Sequence, residues 1–245
     1  MCGRYSEEEA LSDIRLEFDA EPELFREHQP AFNIAPSYGP GFEQLIVLQK
    51  ADRRVVKLAR WWMVPGFWKK PLRALPTSFN ARAEDVADKP FFRAAFASHR
   101  CLVPATGWRE FKPEGKKKQP YHFRPRSRLF AFGGVHSRFV TEDGEVVDTF
   151  AIITTPPNDT ARAIHDRMPL VIQKSLYESW LDPHADAAAV LERACADNRE
   201  LELEVFASDP IGNDVRYEGP RVVAPADAEP SPAIQGDLFA RSGKR

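Results

Sequence analysis

Cys2 is the residue whose type and position most directly predict chemistry. A small side chain after Met1 permits removal of the initiator methionine, so the mature chain would begin with a cysteine that has both a free α-amine and a thiol. An α-amine has a pKa of roughly 8, so much of it is neutral and nucleophilic at physiological pH. It can condense with an aldehyde to an imine, and the thiol can then close a durable five-membered thiazolidine. The alternative is a chance cysteine at a frayed chain end.

Two further stretches place polar side chains in settings suited to catalysis. Residues 78–84 predict a loop that leads into a helix, in which Asn80 either serves the site or simply caps the helix. Residues 107–111 place Glu110 between aromatic side chains, and apolar neighbours would raise its pKa towards neutrality, as a general acid requires. The alternative for Glu110 is an exposed carboxylate at a strand edge.

A histidine lies in a third stretch, residues 164–169, which reads Ile-His-Asp-Arg-Met-Pro. His165 stands two residues before Arg167 and the stretch ends in a proline turn. Histidine titrates near neutral pH and is suited to proton transfer, although a single histidine is more often structural.

Composition limits the possible classes of protein. The 245 residues, 43% of them hydrophobic, fit one large domain or two small ones with a buried core. The cysteines Cys2, Cys101 and Cys195 are widely spaced, which argues against a disulfide framework and a zinc site. We find no apolar run of transmembrane length and no apolar signal region, so we predict a cytoplasmic protein without membrane contact.

Charge is unevenly distributed along the chain. Between Arg53 and Arg128 there are 19 Lys and Arg residues against 5 Asp and Glu residues, although the net charge of the chain is −2. This block predicts either one cationic, polyanion-binding face or a surface neutralised by the acidic segments. Interleaved aromatic residues favour binding of single strands, through backbone charge and base stacking (Trp61, Trp62, Phe67, Trp68, Trp108, Phe111).

The order of predicted strands and helices indicates an α+β fold. Strands dominate the middle of the chain and do not alternate regularly with helices. Ser6 and Glu9 form a capping-box pattern that predicts the start of a helix containing Leu11, Ile14 and Phe18. Strands are predicted at 44–49, 55–62, 101–104, 120–123, 129–135 and 147–155, and helices at 90–99, 158–164, 176–181 and 185–196. Residues 1–223 form the predicted domain, and residues 224–245, rich in Ala, Pro, Asp and Ser, a disordered tail.

Taken together, the motifs resemble the SOS response-associated peptidase (SRAP) family. The matching motifs are Met-Cys-Gly-Arg at 1–4, Asn-Ile-Ala-Pro at 33–36, Asn-Ala-Arg-Ala-Glu at 80–84, Gly-Trp-Arg-Glu at 107–110, His-Asp-Arg-Met-Pro at 165–169 and Gly-Asn at 212–213. The resemblance covers roughly residues 2–216. It implies a single SRAP-type domain, with central, mainly antiparallel β-structure flanked by short helices, that captures abasic sites in single-stranded DNA.

The resemblance also implies a role for each catalytic residue. Cys2 would crosslink to the ring-opened abasic sugar, and Asn80 would orient the Cys2 amine or the sugar. Glu110 would shuttle protons during imine formation and thiazolidine closure. His165 would open the sugar ring by proton transfer to its oxygen. This chemistry needs no cofactor and no metal.

DNA-binding residues follow from the same resemblance. Arg4, Arg82 and Arg167 are implied phosphate ligands, and Thr154 matches a family position near the DNA. Phe67, Trp68 and Phe111 are implied stacking residues. The family commonly has Trp in place of Phe111 and a Trp pair in place of Phe67 and Trp68, so this chain offers smaller stacking faces.

Two other functions compete with crosslinking. An N-terminal cysteine peptidase would use Cys2 as nucleophile with Glu110 and His165 as acid and base, and its substrate could be its own Met1. A DNA-binding module without chemistry would use only the basic block, and would leave those three residues unexplained.

The tail contains a possible partner motif. Gln235, Leu238 and Phe239 resemble the short bacterial peptide that binds the replication sliding clamp, with Gly236 in place of the usual Leu. The sequence therefore predicts a nucleoid-associated protein that docks on the clamp. The alternatives are a chance match or an apolar pair that folds back on the domain.

Overall fold

A computed structural model describes residues 2–24, 26–115, 117–141 and 143–227 of the chain. These residues form the α+β fold that the sequence predicts. The strands are β1 Tyr5–Glu7, β2 Ala20–Glu23, β3 Ala31–Ile34, β4 Glu43–Lys50, β5 Arg53–Trp61, β6 Asn80–Arg82, β7 Arg100–Ala105, β8 Gly107–Glu114, β9 Lys117–Pro125, β10 Phe130–Val140, β11 Val146–Thr155, β12 Met168–Pro169, β13 Val171–Ile172 and β14 Leu203–Ala207. The α-helices are α1 Leu11–Phe18, α2 Arg93–Ser98, α3 Asp159–Arg162, α4 Tyr177–Leu181 and α5 Ala187–Arg199.

Five strands close into a small barrel. Their order is β11, β10, β7, β4 and β5, and β5 pairs back to β11 in parallel. Short strand β6 pairs with β11 beyond the end of β5, because Trp61 lies opposite Phe150 while Asn80 lies opposite Ile152. The chain therefore leaves β11 at Trp61 and returns to it at Asn80.

A second, antiparallel sheet has the strand order β14, β9, β8, β1 and β3. The first strand of the chain thus lies inside the sheet, with Tyr5 opposite Trp108 on β8. The pairing extends towards the terminus, since the Arg109 N–H donates to the carbonyl oxygen of Arg4 at 3.0 Å. This register brings residues 2–4 alongside the middle of β8.

Buried aromatic side chains join the barrel to the second sheet. Tyr5 packs against Trp61 and Phe132, with ring centroids 5.1 and 5.8 Å apart, and Trp108 also packs against Phe132. A second buried cluster lies under the helices and includes Ile14 and Phe18 of α1. Both sides of the barrel are therefore covered, as apolar burial requires.

The predicted start of the first helix is wrong. Ser6 lies in β1, where its hydroxyl is 3.0 Å from the Thr106 hydroxyl, and α1 begins at Leu11 after Ala10. Pairing of β1 with β8 outweighs the local capping pattern, because it is a long-range contact that local sequence does not encode. The buried face of α1, with Ile14 and Phe18, is confirmed.

Residues 78–84 also differ from the prediction. Asn80 is the first residue of a strand and turns follow it, so it caps no helix. The predicted strands at 44–49, 55–62 and 147–155 and the helix at 185–196 are confirmed within a few residues. Immediately after the predicted domain boundary at Val223, Pro225 bridges to Ser208. The boundary and the character of the remaining tail stay predictions.

Candidate active site

The N-terminal segment that contains Cys2 is held in place by β1 rather than left free. Cys2 is fully buried and belongs to the aromatic cluster that joins the barrel to the second sheet. Burial first, and the Glu110 carboxylate second, raise the pKa of the Cys2 thiol well above its usual value. The thiol is therefore neutral at physiological pH, and it needs a proton acceptor before or while it attacks.

Asn80 is brought to Cys2 by the return of the chain to β11. Its Nδ2 donates to the carbonyl oxygen of Cys2 at 2.7 Å. Its Oδ1 is buried, and no described residue donates a hydrogen bond to it. A buried acceptor without a donor is costly, so the amide is suited to receive an N–H or O–H from a reacting group.

Glu110 is the buried carboxyl group of the site. It is only 3% exposed, which excludes the alternative of an exposed strand-edge residue. Burial raises its pKa to about 8, with the N-terminal amine opposing this shift and the nearby Asp166 carboxylate adding to it. The side chain is therefore largely protonated at neutral pH and can act as a general acid.

His165 faces Glu110 across the site. Its Nε2 lies 3.6 Å from Glu110 Oε2, while its Nδ1 accepts the backbone N–H of Arg167 at 3.0 Å. This acceptor role assigns the proton of the neutral ring to Nε2. Asp166 Oδ1 also lies 3.1 Å from Nδ1 and favours the charged ring, but burial outweighs it and lowers the pKa of His165. Asp166 is a neighbour of the site that the sequence prediction missed.

Arg4 has internal partners that the sequence did not indicate. Its Nη1 donates to Asn33 Oδ1 at 2.8 Å and to the Gly212 carbonyl oxygen at 3.2 Å. Arg109, which is buried, donates to the same two acceptors, and a Cβ on Gly212 would lie only 2.0 Å from its Nη1. The motifs around Asn33 and Gly212 therefore build a buried cluster with Arg4, in which Arg109 was not anticipated.

The other two arginines differ in accessibility. Arg82 is exposed, has no ion pair with a described residue and lies on the same face of β6 as Asn80. Arg167 forms a bidentate pair with Glu84 and donates to the Thr154 carbonyl oxygen at 2.6 Å. Thr154 is buried, so any influence on bound DNA would act through Arg167.

The predicted stacking residues are not gathered around Cys2. Phe67 is 60% exposed and lines a cavity of about 530 Å³ together with Phe91 and His99. Trp68 packs against Phe91, with ring centroids 6.2 Å apart. Phe111 is half-buried, and strand alternation places it on the opposite face of β8 from Glu110. No described contact joins these three side chains to Cys2 or Asn80.

Much of the basic block is neutralised in three dimensions. Its paired side chains include Lys57 with Asp148, Arg60 with Glu43, Arg124 with Glu204, Arg126 with Glu202 and Arg128 with Glu9. The basic side chains without an ion pair to a described residue include Lys69, Lys70, Arg73, Arg82, Lys112, Lys117 and Lys118. Only part of the basic block is therefore available to bind a polyanion.

The described residues offer neither a metal-binding cluster nor a membrane-spanning helix. They contain no group of three or more His, Cys, Asp or Glu side chains arranged to hold a metal ion. None of their helices is long and apolar enough to cross a membrane.

The chain is similar in sequence to one protein family and in fold to a solved structure. The family model described as SOS response associated peptidase (SRAP) matches residues 1–216. The abasic site processing protein YoaM of Bacillus subtilis (strain 168) is 37% identical over 186 residues, which cover 75% of this chain and 80% of YoaM. The abasic site processing protein YedK of Escherichia coli (strain K12) is 26% identical over 232 residues, covering 92% of this chain and all of YedK. A crystal structure of a protein from Bacteroides thetaiotaomicron shares the fold, with a TM-score of 0.77, 23% identity and coverage of 92% of this chain and 100% of that one.

Proposed function

Because the chain belongs to the SOS response-associated peptidase (SRAP) family, we propose that it processes abasic sites in single-stranded DNA through a thiazolidine crosslink at Cys2. The observation that supports this most is the cluster at Cys2: Asn80 donates to its carbonyl oxygen and Glu110 raises the pKa of its thiol. His165 joins the cluster through Glu110, at 3.6 Å. Relatives named as abasic site processing proteins support the substrate.

The crosslink forms in two stages once Met1 has been removed. The Cys2 amine adds to the sugar aldehyde to give a carbinolamine, which loses water to form an imine. Glu110, protonated because its pKa is about 8, donates the proton that lets water leave. The Cys2 sulfur then adds to the imine carbon while the thiol proton ends on nitrogen, so the overall reaction releases one water.

His165 serves the preceding step, the opening of the sugar ring. Ring opening moves one proton from the C1′ hydroxyl to the ring oxygen. A neutral imidazole with its proton on Nε2 can donate to that oxygen, and it recovers a proton as the hydroxyl is deprotonated. The lowered pKa of His165 keeps the ring in this neutral form at physiological pH.

Binding of the strand uses charge as well as this chemistry. Exposed Arg82 is the most accessible of the three phosphate candidates, Arg167 reaches the strand by leaving Glu84, and Arg4 by leaving Asn33. Backbone contacts of this kind position DNA without reading sequence. We expect single-stranded DNA to bind more tightly than duplex DNA, because exposing the abasic site of a duplex requires unstacking that costs a few kcal/mol.

The intact mass of the protein, alone and after incubation with an abasic single strand, tests the proposal. We expect a chain without Met1 that gains the mass of the strand minus one water, in a heat-stable adduct. A fully crosslinking preparation that retains Met1 would contradict the mechanism. Reversible, salt-sensitive binding alone would instead support a DNA-binding module.

The peptidase function is a second candidate that uses the same groups. Cys2, Glu110 and His165 also have the chemistry for acyl transfer, and removal of Met1 by the protein itself would be the simplest such reaction. Synthesis in a cell-free system without methionine aminopeptidase distinguishes the two: loss of Met1 from the wild type but not from Glu110→Gln would indicate self-cleavage.

The clamp partner and the place in the cell remain predictions. Gln235, Leu238 and Phe239 lie outside the described residues. A labelled peptide of residues 232–242 should bind the purified clamp saturably, and replacement of Leu238 and Phe239 by Ala should abolish that binding. A cytoplasmic, nucleoid-associated location would follow from both partners.

A further inference from the structure

Three aromatic side chains beside Asn80 have no role in the mechanism above. They are Tyr38, Trp62 and Phe79, and we call them the aromatic platform. Trp62 lies between the other two: its ring centroid is 5.2 Å from that of Phe79, at an interplanar angle of 58°, and 5.6 Å from that of Tyr38, at 85°. The three rings form one continuous group.

The platform is joined to the reactive site through the barrel. Trp61 is fully buried, and its Nε1 donates to the carbonyl oxygen of Phe79 at 2.8 Å. Phe79 directly precedes Asn80, whose Nδ2 donates to the carbonyl oxygen of Cys2. A chain of hydrogen bonds and one peptide unit therefore fixes the platform relative to the residue that forms the crosslink.

The platform also reaches solvent. Trp62 follows the last residue of β5 and is only partly buried, and its Nε1 donates to the carbonyl oxygen of Pro76 at 3.2 Å. Tyr38 is 41% exposed. Large aromatic rings are normally well buried, so rings held partly in water beside a reactive group favour a ligand that covers them.

Charge next to the platform restricts the ligand. Arg82 is exposed without an ion pair to a described residue, on the same face of β6 as Asn80. A ligand that meets both features has a flat apolar ring and a negatively charged group on the same flexible chain. An unpaired nucleotide has both, and base stacking on aromatic rings tolerates any sequence.

We propose that the aromatic platform stacks the nucleobase next to the abasic nucleotide, with Trp62 as the principal contact. This inference rests on the proposed function, because it takes abasic DNA as the substrate. The stacked base would hold the strand so that the aldehyde faces Cys2. Recognition would then include a neighbouring base, although the lesion itself has none.

Reversible binding tests the platform separately from the crosslink. The probe is a labelled single strand whose central residue is tetrahydrofuran, an abasic analogue without an aldehyde. In companion strands a second tetrahydrofuran replaces the nucleoside on the 5′ side or on the 3′ side. Dissociation constants are measured for the wild type, Trp62→Ala and Trp62→Phe.

We expect Trp62→Ala to weaken binding roughly 5- to 100-fold, the range for one base stacked on one aromatic ring. Removal of the base on one side should weaken wild-type binding by a similar factor. The two changes together should cost little more than either alone, because each removes the same contact. Trp62→Phe should retain most of the affinity, and Tyr38→Ala should show a smaller loss with the same dependence on that base.

Leu16→Ala is the matched control, since Leu16 is 83% exposed on α1. This variant should bind every strand with the affinity of the wild type. Two outcomes would overturn the inference. One is that the losses of affinity from Trp62→Ala and from base removal add fully, whether the 5′ or the 3′ base is removed. The other is that Trp62→Ala binds with unchanged affinity. A parallel reaction with aldehyde-containing DNA reports on the proposed function: absence of a crosslink there would reject the chemistry while leaving the stacking measurement valid.

Discussion

Strand β8 presents a different kind of buried ionisable group on each of its faces. Glu110 has a carboxyl oxygen with no described hydrogen-bond partner, a pKa raised to about 8 and a histidine 3.6 Å away. Arg109, one residue earlier, donates to Asn33 and to the Gly212 carbonyl oxygen. Glu110 therefore keeps hydrogen-bonding capacity free for a reaction, whereas Arg109 uses its hydrogen bonds to hold strand β3 to the segment around Gly212.

The difference shows that one short motif can combine two functions. Residues 107–110 read Gly-Trp-Arg-Glu, and the period of two in a strand sends Arg and Glu to opposite sides. A motif that identifies a family therefore identifies its scaffold as well as its chemistry. The variants below test this division between a reactive face and a structural face.

The largest effect is expected at Cys2, the partner of the reactive face. Cys2→Ala should abolish the durable crosslink, because no thiol remains to close the ring. Cys2→Ser should still form an imine that borohydride traps, but its untreated adduct should decay. The measurement is adduct survival on a denaturing gel with and without borohydride. Equal adduct stability in Cys2→Ser and the wild type would remove the role of sulfur.

Glu110→Gln should slow crosslinking by about 100- to 10,000-fold, the usual contribution of a positioned general acid. Affinity for the tetrahydrofuran strand should change little, because the carboxyl group acts on proton transfer. Single-turnover rates at saturating enzyme separate the two quantities. Equal losses in rate and in affinity would contradict the assignment of Glu110 to catalysis.

The same variant should also change how stability depends on pH. Glu110 has a folded pKa of about 8, raised above that of an unfolded glutamate, so its protonated form is the one that the fold accommodates. The contribution of Glu110 to wild-type stability is therefore fully present below about pH 4.5 and is lost as pH rises to about 8. Urea unfolding should show Glu110→Gln gaining on the wild type over this range, by on the order of a few kcal/mol. Parallel stability curves would show that Glu110 ionises normally in the fold.

Arg109→Met should have the opposite signature on the structural face. Loss of its charged hydrogen bonds should lower the free energy of unfolding by about 1–3 kcal/mol, with the crosslinking rate of the folded protein nearly unchanged. Thermal unfolding and the single-turnover rate are measured on the same preparation. A slow but fully stable variant would break the comparison, since Arg109 would then belong to the reaction.

The smallest effect is expected from Arg82→Ala at the edge of the reactive face. Removal of one phosphate contact should reduce the slope of log Kd against log salt by about one, with the crosslinking rate at saturation retained. Arg93→Ala is a suitable control, because it removes another exposed charge, on α2. An unchanged slope would show that Arg82 does not contact the backbone.

Local sequence predicts the long strands and the longest helix well. Strands such as β4 and β11 and helix α5 have patterns long enough to be detected without tertiary information. The shortest strands are not predicted, because their patterns are too short to be detected without tertiary information. Strands β1 and β6 have three residues each, and they exist because β8 and β11 pair with them.

The sequence predicted the residue types of the candidate site and the raised pKa of Glu110, but not the internal partners of the other side chains. Cys2, Asn80, Glu110 and His165 follow from motifs, whereas the burial of Glu110 depends on the register of β1 with β8. The internal partners of Arg4 and the burial of Thr154 depend on contacts with residues far away in sequence. A motif match predicts the role of a residue. Only the fold shows which neighbouring residues form hydrogen bonds or ion pairs with its side chain.

The interior position of β1 has a consequence for the synthesis of the protein. The terminus emerges first from the ribosome, yet β8 and Asn80, which hold it, lie far downstream, and His165 follows later still. An unfinished chain thus has the nucleophile without the acid, the amide or the imidazole that make it effective. Under the proposed mechanism, reactivity towards aldehydes arises together with folding, so a nascent or misfolded copy is poorly equipped to attach itself to DNA.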